Sequence, residues 1–198
     1  MPLYVRQAYE AKKWGFVPDY IRLWLVYNYG GIYMDTDVEV VKPLDRFLQY
    51  EAVSGFESET QIQTGLMACL EGFPLFTELL HEYDEIPFVK EDGSYDLTTN
   101  VIRITNVCTR YGFIPNGKEQ TVEGFTLFPT EYFCPMDWSG QLHKTKNTYS
   151  IHWFSASWWN EQQRKEHKIM QRKLRFFRFC TGIIGETAYY RIKRLLKH

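Results

Sequence analysis

The sequence lacks a long apolar segment and a dense set of cysteines, and both absences narrow the class of protein. No run approaches the roughly 20 apolar residues that a membrane-spanning helix needs, and the N-terminus has no basic segment followed by an apolar one. The four cysteines lie far apart without a C-x-x-C pair, which indicates neither a zinc ribbon nor a disulfide framework. We therefore expect a protein of the reducing cytoplasm that is neither secreted nor membrane-spanning.

Apolar and aromatic residues are plentiful in this chain of 198 residues, at 44% and 17%. That content is enough to bury one sizeable core. There is no internal repeat, low-complexity tract or Pro/Ser-rich linker to divide the first 160 residues. We predict one domain over residues 1–160 and a separate basic helical tail over residues 161–198.

Helical and extended patterns are mixed along the chain, which predicts the α/β class. Residues 4 to about 15 are predicted to form a helix ended by Gly15, and Pro18 is predicted to begin a second helix that is nearly all apolar and hence buried. The glycines at 30–31 end that helix, and a short strand at 32–34 follows. Further helices are predicted at 73–83 and 97–111, and further strands at 126–128 and 148–154.

Asp35 and Asp37 follow that short strand and are separated by one residue. In an extended segment both carboxylates would point to the same side, about 7 Å apart at the backbone. Hard oxygen ligands of this kind suit Mg²⁺ or Mn²⁺. The spacing alone is a weak signal, and a solvated acidic turn is the alternative. The position favours a metal, because α/β sheets bind ligands beyond the carboxyl ends of their strands.

Two further places carry candidate polar groups. Asp19 and Arg22 lie three residues apart on the apolar helix and would share one face, either as a surface ion pair or as contacts to sugar hydroxyls and phosphates. His152 lies among aromatic residues in a predicted strand, where a histidine is more often a hydrogen-bonded core residue than a ligand. The residues alone leave these alternatives open.

Two segments carry a more specific signal. EAKKWGFVPDYIR at residues 10–22 and YNYGGIYMDTDVEV at residues 27–40 resemble glycosyltransferase family 32, the DxD-containing sugar transferases of capsule and lipopolysaccharide synthesis. The resemblance covers an Asp-x-x-Arg helix, the Gly-Gly-Ile-Tyr segment that leads to the acidic pair, and the acidic pair itself, in that order. Residues 149–158 also resemble the closing segment of the family, in which a histidine precedes a Ser-Trp pair.

The resemblance implies a GT-A type fold, with a Rossmann-like mixed sheet flanked by helices, and a retaining, metal-dependent hexosyltransferase. By analogy, Asp35 and Asp37 would hold Mn²⁺ (or Mg²⁺) and the donor diphosphate, and His152 would complete the metal shell. Asp19 and Arg22 would contact the donor sugar of a UDP- or GDP-linked nucleotide-sugar. Residues in the closing segment would cover the diphosphate, namely Ser157 and Trp158. The acceptor would be a glycan or a lipid-linked glycan.

Three features depart from the family pattern. The sequence Ile62-Gln63-Thr64-Gly65 stands where an Asn-Gly or Asn-Ala pair commonly follows an isoleucine. The threonine-proline signature is incomplete near residues 98–100. The family also normally begins some fifty residues earlier, with a strand that leads to the nucleotide base, so we expect an N-terminally truncated version of the fold, whose sheet has an open edge.

The C-terminal segment differs in charge from the rest. Residues 164–198 contain eleven Lys/Arg and two Asp/Glu, a net charge of +9, whereas residues 1–163 have 12 basic and 22 acidic residues, a net charge of −10. Residues 164–180 form a predicted amphipathic helix with apolar residues on one side. This helix would either lie on anionic lipid at the inner face of the membrane or pack on the domain through Phe176 and Phe177. No nucleic-acid recognition motif accompanies it, and no nucleic-acid partner is expected.

Two other functions fit parts of the pattern. A catalytically impaired remnant of the same fold would act as a binding protein for a nucleotide or glycan. Haloacid-dehalogenase-like phosphatases also place Asp-x-Asp after a short apolar strand and use the first aspartate as a nucleophile. They need a later lysine and a further acidic cluster, and no convincing Gly-Asp-x-x-x-Asp arrangement follows Asp37.

Overall fold

A computed structural model describes residues 1–84, 86–155 and 161–185 of the chain. The described residues fall into two units, the first made of residues 1–136 and 143–155 and the second of residues 137–142 together with 161–185. The first unit contains a five-stranded sheet and a two-stranded sheet. The second unit contains one long helix.

Two helices begin the first unit. Helix α1 spans Leu3–Glu10, shorter than the predicted helix, because the chain turns at Lys12 with a φ of 55°. Helix α2 spans Val17–Tyr29 and begins with a proline in its first turn, as predicted. It ends at Gly30, whose φ of 63° favours glycine.

Burial of α2 is only partial, contrary to the prediction of a buried helix. Leu23 and Val26 face the core, whereas Ile21, Trp24 and Leu25 are each 38 to 39% exposed. An apolar residue is buried only where another element packs against it, and the α-helical spacing places these three residues away from the sheet. The helix therefore has one face in the core and one apolar face in contact with solvent.

The large sheet is mixed and lies at the centre of the first unit. Its strands are β1 (Gly31–Met34), β3 (Ala52–Gly55), β4 (Leu66–Cys69), β5 (Gln120–Val122) and β6 (Phe125–Phe128), in the order β1-β4-β3-β6-β5. Strands β3 and β6 are parallel, and every other neighbouring pair is antiparallel. Strands β1, β3 and β6 therefore run in one direction, and their carboxyl ends lie at one edge of the sheet.

Each face of this sheet contributes to a separate hydrophobic cluster. The larger cluster joins one face to α1, α2, α3 (Pro74–Asp84) and α4 (Asn100–Arg110). The smaller cluster covers the other face with a 3-10 helix (Asp45–Phe47) and the short helix α5 (Thr130–Phe133). Successive strand residues alternate between the clusters, as Met67 and Leu66 do. The predicted α/β class, with a mixed sheet flanked by helices, is confirmed, and the architecture is compatible with a GT-A-like fold.

The small sheet brings together distant parts of the chain. Strand β2 (Val38–Val40) pairs antiparallel with β7 (Ser150–His152), and Val38 lies opposite His152. Because β2 begins directly after Asp37, the pairing of β2 with β7 brings His152 beside the two aspartates.

The second unit is built on α6 (Glu161–Ile184), which lies against residues 137–142. Arg175 donates through Nε to the Ser139 carbonyl at 2.8 Å, and Arg178 forms an ion pair with Asp137. Within the described ranges, no helix is both long enough and apolar enough to cross a bilayer. The four cysteines are free thiols, and three of them are buried.

Candidate metal centre

The acidic pair lies at the edge of the sheet where β1, β3 and β6 end. The segment after β1 is not extended as predicted, because the Val38 N–H donates back to the Asp35 carbonyl at 3.0 Å and residues 36–37 form a turn. The Asp35 N–H donates to the Gly65 carbonyl at 2.8 Å, which fixes the start of the turn against the chain that leads into β4. The turn brings Asp35 and Asp37 toward a common point.

His152 completes a cluster with the two carboxylates. One potential ligand atom from each of Asp35, Asp37 and His152 lies within 4.8 Å of the other two. The His152 Nε2 is 3.3 Å from Asp37 Oδ1, and its Nδ1 is buried without a hydrogen-bond partner. The imidazole ring stacks on Phe154 at 4.1 Å. A buried ring nitrogen without a partner beside two carboxylates matches the donor set of a divalent metal site.

Arg22 lies beside this cluster and is buried, as is Asp19 on the same face of α2. Its Nη1 donates to Asp35 Oδ2 at 3.0 Å, to the Thr64 carbonyl at 2.9 Å and to Thr64 Oγ1 at 3.2 Å. Its Nη2 lies 3.6 Å from Asp19 Oδ1. Asp19 accepts from the Asn100 N–H at 3.2 Å. The pair is therefore part of a buried network that joins α2, α4 and the acidic turn.

The carboxyl groups of the site have different proton affinities. Hydrogen bonding to His152, together with the N–H and hydroxyl of Ser155, holds the pKa of Asp37 well below its usual range. Burial raises the pKa of Asp19 to about 6, against the opposing effect of Arg22. Burial also raises the pKa of Glu57 to about 7, while His152 and Arg22 act to lower it. Asp37 therefore remains ionised across the physiological range, as a metal ligand must.

Sequence reasoning missed several residues of this site. Thr64 and Gly65, noted only as a departure from a family pattern, lie directly against it. A Cβ at Gly65 would come within 2.8 Å of the His152 ring and 3.4 Å of Asp35 Oδ2, so only glycine leaves room there for the imidazole. Tyr33 donates its hydroxyl to Asp35 Oδ1 at 2.7 Å. Its position near the end of β1, two residues before Asp35, was the available signal, since residues two apart in an extended segment share a face.

Gln63 is fully buried next to these residues, and neither its Nε2 nor its Oε1 has a hydrogen-bond partner. An unpaired buried amide costs free energy on the order of 1–3 kcal/mol. The two remaining predicted contacts, Ser157 and Trp158, lie outside the described residues.

A groove of the first unit lies elsewhere. A groove of about 470 Å³ is lined by Glu51, Leu70, Phe73, Glu78 and others. It lies where β4 ends and β3 begins, at the edge of the sheet opposite the acidic turn, since Met34 pairs with Leu66 and Gly31 with Cys69. The cluster of Asp35, Asp37 and His152 therefore lies away from this groove.

Comparison with known proteins finds a match to a glycosyltransferase family model over the segment that contains Asp35 and Asp37. Residues 2–54 match the family model of the glycosyltransferase sugar-binding region containing the DXD motif. Inositol phosphoceramide mannosyltransferase 3 of Schizosaccharomyces pombe is 31% identical over 70 residues, which are 35% of this chain and 20% of that protein. The chain therefore matches about a fifth of the length of this curated relative. No solved structure matches the chain. The resemblance to DxD-containing glycosyltransferases is confirmed, and both matches support a glycosyltransferase.

Proposed function

We propose that this chain is a metal-dependent, retaining glycosyltransferase. It would move a hexose from a UDP- or GDP-linked sugar to a glycan or lipid-linked glycan, in the synthesis of surface polysaccharide. The observation that carries the proposal is the convergence of Asp35, Asp37 and His152 beside the buried guanidinium of Arg22. The matched DXD region over residues 2–54 includes the acidic pair and Arg22.

The residues present fit Mn²⁺ or Mg²⁺. Two carboxylates and one imidazole are suitable ligands for either ion, and both ions also take phosphate oxygens and water. The site has three neighbouring aspartates at positions 19, 35 and 37 and one buried arginine, so its excess negative charge favours a cation over a bare diphosphate. A bound ion would neutralise the negative charge that develops on the leaving diphosphate.

The side chains of the chain itself would provide orientation and electrostatic stabilisation. Arg22 is held by Asp35, Thr64 and the Pro18 carbonyl, so its positive charge is fixed before a donor binds. A fixed charge needs no reorganisation when negative charge develops nearby, and this is the main source of electrostatic catalysis. Tyr33 and Ser155 hold the two metal-binding carboxylates in place. We assign Asp35, Asp37 and Arg22 as catalytic residues and Asp19 to donor binding.

The nature of the transferred sugar rests on the relative. That protein is named as a mannosyltransferase acting on inositol phosphoceramide, so a hexosyl donor and an acceptor with a lipid part are consistent with the match. The shared region spans 70 residues. The class of acceptor is therefore part of the proposal.

The test is calorimetric titration of the purified chain with UDP, GDP and their hexose conjugates, with and without Mn²⁺. The proposal expects metal-dependent binding of one nucleotide-sugar and slow hydrolysis of that donor. Asp37→Ala should abolish both, and Asp92→Ala, which changes an exposed loop aspartate, should leave both unchanged.

Two outcomes would count against the proposal. Failure of the folded chain to bind any nucleotide-sugar would mean that it is not an enzyme by itself. Binding that persists in Asp37→Ala, or without metal, would mean that the acidic turn does not hold the ion that positions the donor.

A further inference from the structure

Helix α6 carries large apolar side chains that are exposed to solvent. Ile169, Phe176, Phe179 and Ile183 are 50 to 67% exposed. Their spacing of 7, 3 and 4 residues places them on one side of an α-helix. We call this side, with those four residues, the apolar face of α6. Phe176 is among the most exposed of them, at 63%.

Basic residues occupy the same side and its borders. Lys165 lies four residues before Ile169, and Arg172 lies four before Phe176 and seven before Phe179, so both are in line with the apolar face. Lys168 and Lys173 lie at its two borders, and all four basic residues are exposed. The acidic residues of α6, Glu161 and Glu166, are confined to its first two turns. Glu161 pairs with Lys165 at 2.8 Å. Beyond these first two turns, the charged residues of the described part of α6 are all positive.

The other side of α6 is already in contact with its own unit. Arg178, half a turn around the helix from Ile169, pairs with Asp137 and donates to Ser139 Oγ at 2.9 Å. Leu174, on the same side as Arg178, is partly buried. In the described part of the chain, the helix therefore has one side fixed by residues 137–142 and one side exposed to solvent.

We propose that the apolar face of α6 and its basic border bind the surface of a bilayer that contains anionic lipid. Aromatic and aliphatic side chains would enter the boundary between head groups and acyl chains, and the lysines and arginines would lie against lipid phosphates. The charge is complementary to an anionic surface. Pairing of two copies through this face would bring Arg172 and Lys165 of each copy together, which like charges oppose. Nucleic acid would use the basic residues but would leave exposed phenylalanines without a role.

This inference is independent of sugar transfer, because α6 lies in the second unit and contains none of the metal-site residues. Its test is flotation of the full chain with phosphatidylcholine vesicles, with and without about one third phosphatidylglycerol. We expect binding only to the anionic vesicles and a loss of binding in high salt. Each basic residue near such a surface contributes about 1 kcal/mol, which is about fivefold in partitioning, so Arg172→Gln with Lys173→Gln should weaken binding about 30-fold.

Matched variants separate the face from the rest of the surface. Phe176→Ser with Phe179→Ser should reduce binding at least tenfold, whereas Leu48→Ser with Ile114→Ser, two exposed apolar residues of the first unit, should not. Lys90→Gln with Lys118→Gln is the control for charge. Circular dichroism should show every variant folded, since all the changed side chains are exposed.

Three results would overturn the inference. Equal binding by the α6 variants and their controls would place the lipid contact elsewhere. A dimer in sedimentation that Phe176→Ser with Phe179→Ser dissociates, without vesicle binding, would make the face an interface between copies. Retention of duplex DNA that depends on Arg172 and Lys173 but not on the phenylalanines, again without vesicle binding, would make it a nucleic-acid surface.

Discussion

Asp35 and Asp37 are two residues apart in the chain but are held by different regions of the molecule. Asp35 accepts from Arg22 on α2 and from Tyr33 on β1. Asp37 contacts His152 on β7 and accepts from the N–H and hydroxyl of Ser155, at 2.8 and 2.9 Å. The first aspartate is thus tied to the N-terminal helices, and the second to the end of the first unit.

The partners of the two aspartates, Arg22 and His152, also differ in chemistry. Arg22 is a permanent cation, and it is buried. Asp35 therefore stabilises the fold by pairing with Arg22, in addition to any role in binding an ion. His152 offers a ring nitrogen without a hydrogen-bond partner. We infer that Asp35 fixes the geometry of the site and that Asp37 with His152 forms the part that adjusts when an ion binds.

Arg22→Met should produce the largest effect. It leaves the buried Asp19 near the partly buried Asp35 without their shared cation, and removing one partner of a buried ion pair costs about 3–5 kcal/mol. Denaturant unfolding measures the loss. Arg110→Met, which removes an exposed pair with Glu82, should cost less than about 1 kcal/mol. Similar losses of unfolding free energy in both variants would show that Arg22 stabilises the fold no more than an exposed arginine does.

Asp19→Asn should change how stability depends on pH. The folded pKa of Asp19, about 6, is above its ordinary value of 3.8, so the folded state holds the proton more tightly. Its contribution to stability is present below about pH 3.8 and is lost as pH rises through 6. The asparagine variant should lack this loss, which is on the order of 2–3 kcal/mol. Parallel curves of unfolding free energy for the two proteins would contradict the assignment.

Asp37→Asn and Asp35→Asn should loosen different segments. The Ser155 amide loses its charged acceptor in the first variant, and a hydrogen bond of that kind contributes about 1.5 kcal/mol, so its hydrogen exchange should speed up about tenfold. Asp35→Asn should leave that amide unchanged. Faster exchange at Ser155 in both variants would mean that the two carboxylates stabilise the same segment, and not different ones.

Gly65→Ala should have the smallest effect on the fold and a selective effect on the metal. The added Cβ would meet His152 at 2.8 Å, so the ring must move from Asp35 and Asp37. We expect Mn²⁺ affinity to fall about tenfold, a loss of about 1.4 kcal/mol, measured by calorimetry. Gly182→Ala, where a Cβ would meet nothing within 4 Å, is the matched control. Unchanged Mn²⁺ affinity would remove His152 from the metal shell.

The sequence predicted the local parts of this site well. The helix with Asp19 and Arg22, the glycine stop and the strand before Asp35 follow from short-range propensities and chain geometry, and the structure contains each of them. The same reasoning overestimated the burial of α2 at Trp24 and Leu25. Composition gives the number of apolar residues on a helix, but the elements that pack around it decide which of them are covered.

The parts that the sequence did not predict depend on pairing between distant strands. Thr64 and Gly65 reach Arg22 and His152 because β4 pairs with β1 in one register, with Met34 opposite Leu66. A shift of one residue would turn those side chains to the other face of the sheet. Glu57 follows β3 and approaches the site only because β3 runs in the same direction as β1. No local pattern specifies these registers.

The separation of Asp37 from Ser155, 118 positions along the chain, also affects how the protein folds. An ion held by Asp37 and His152 would close a loop of more than a hundred residues, as a long-range disulfide does. Closing such a loop lowers the conformational entropy of the chain, which disfavours binding of the ion at both residues in the unfolded chain. During synthesis the ion would find its complete set of ligands only after β7 had left the ribosome. Metal capture would therefore be among the last steps of folding, and a chain that ended before β7 would have the acidic turn but no centre.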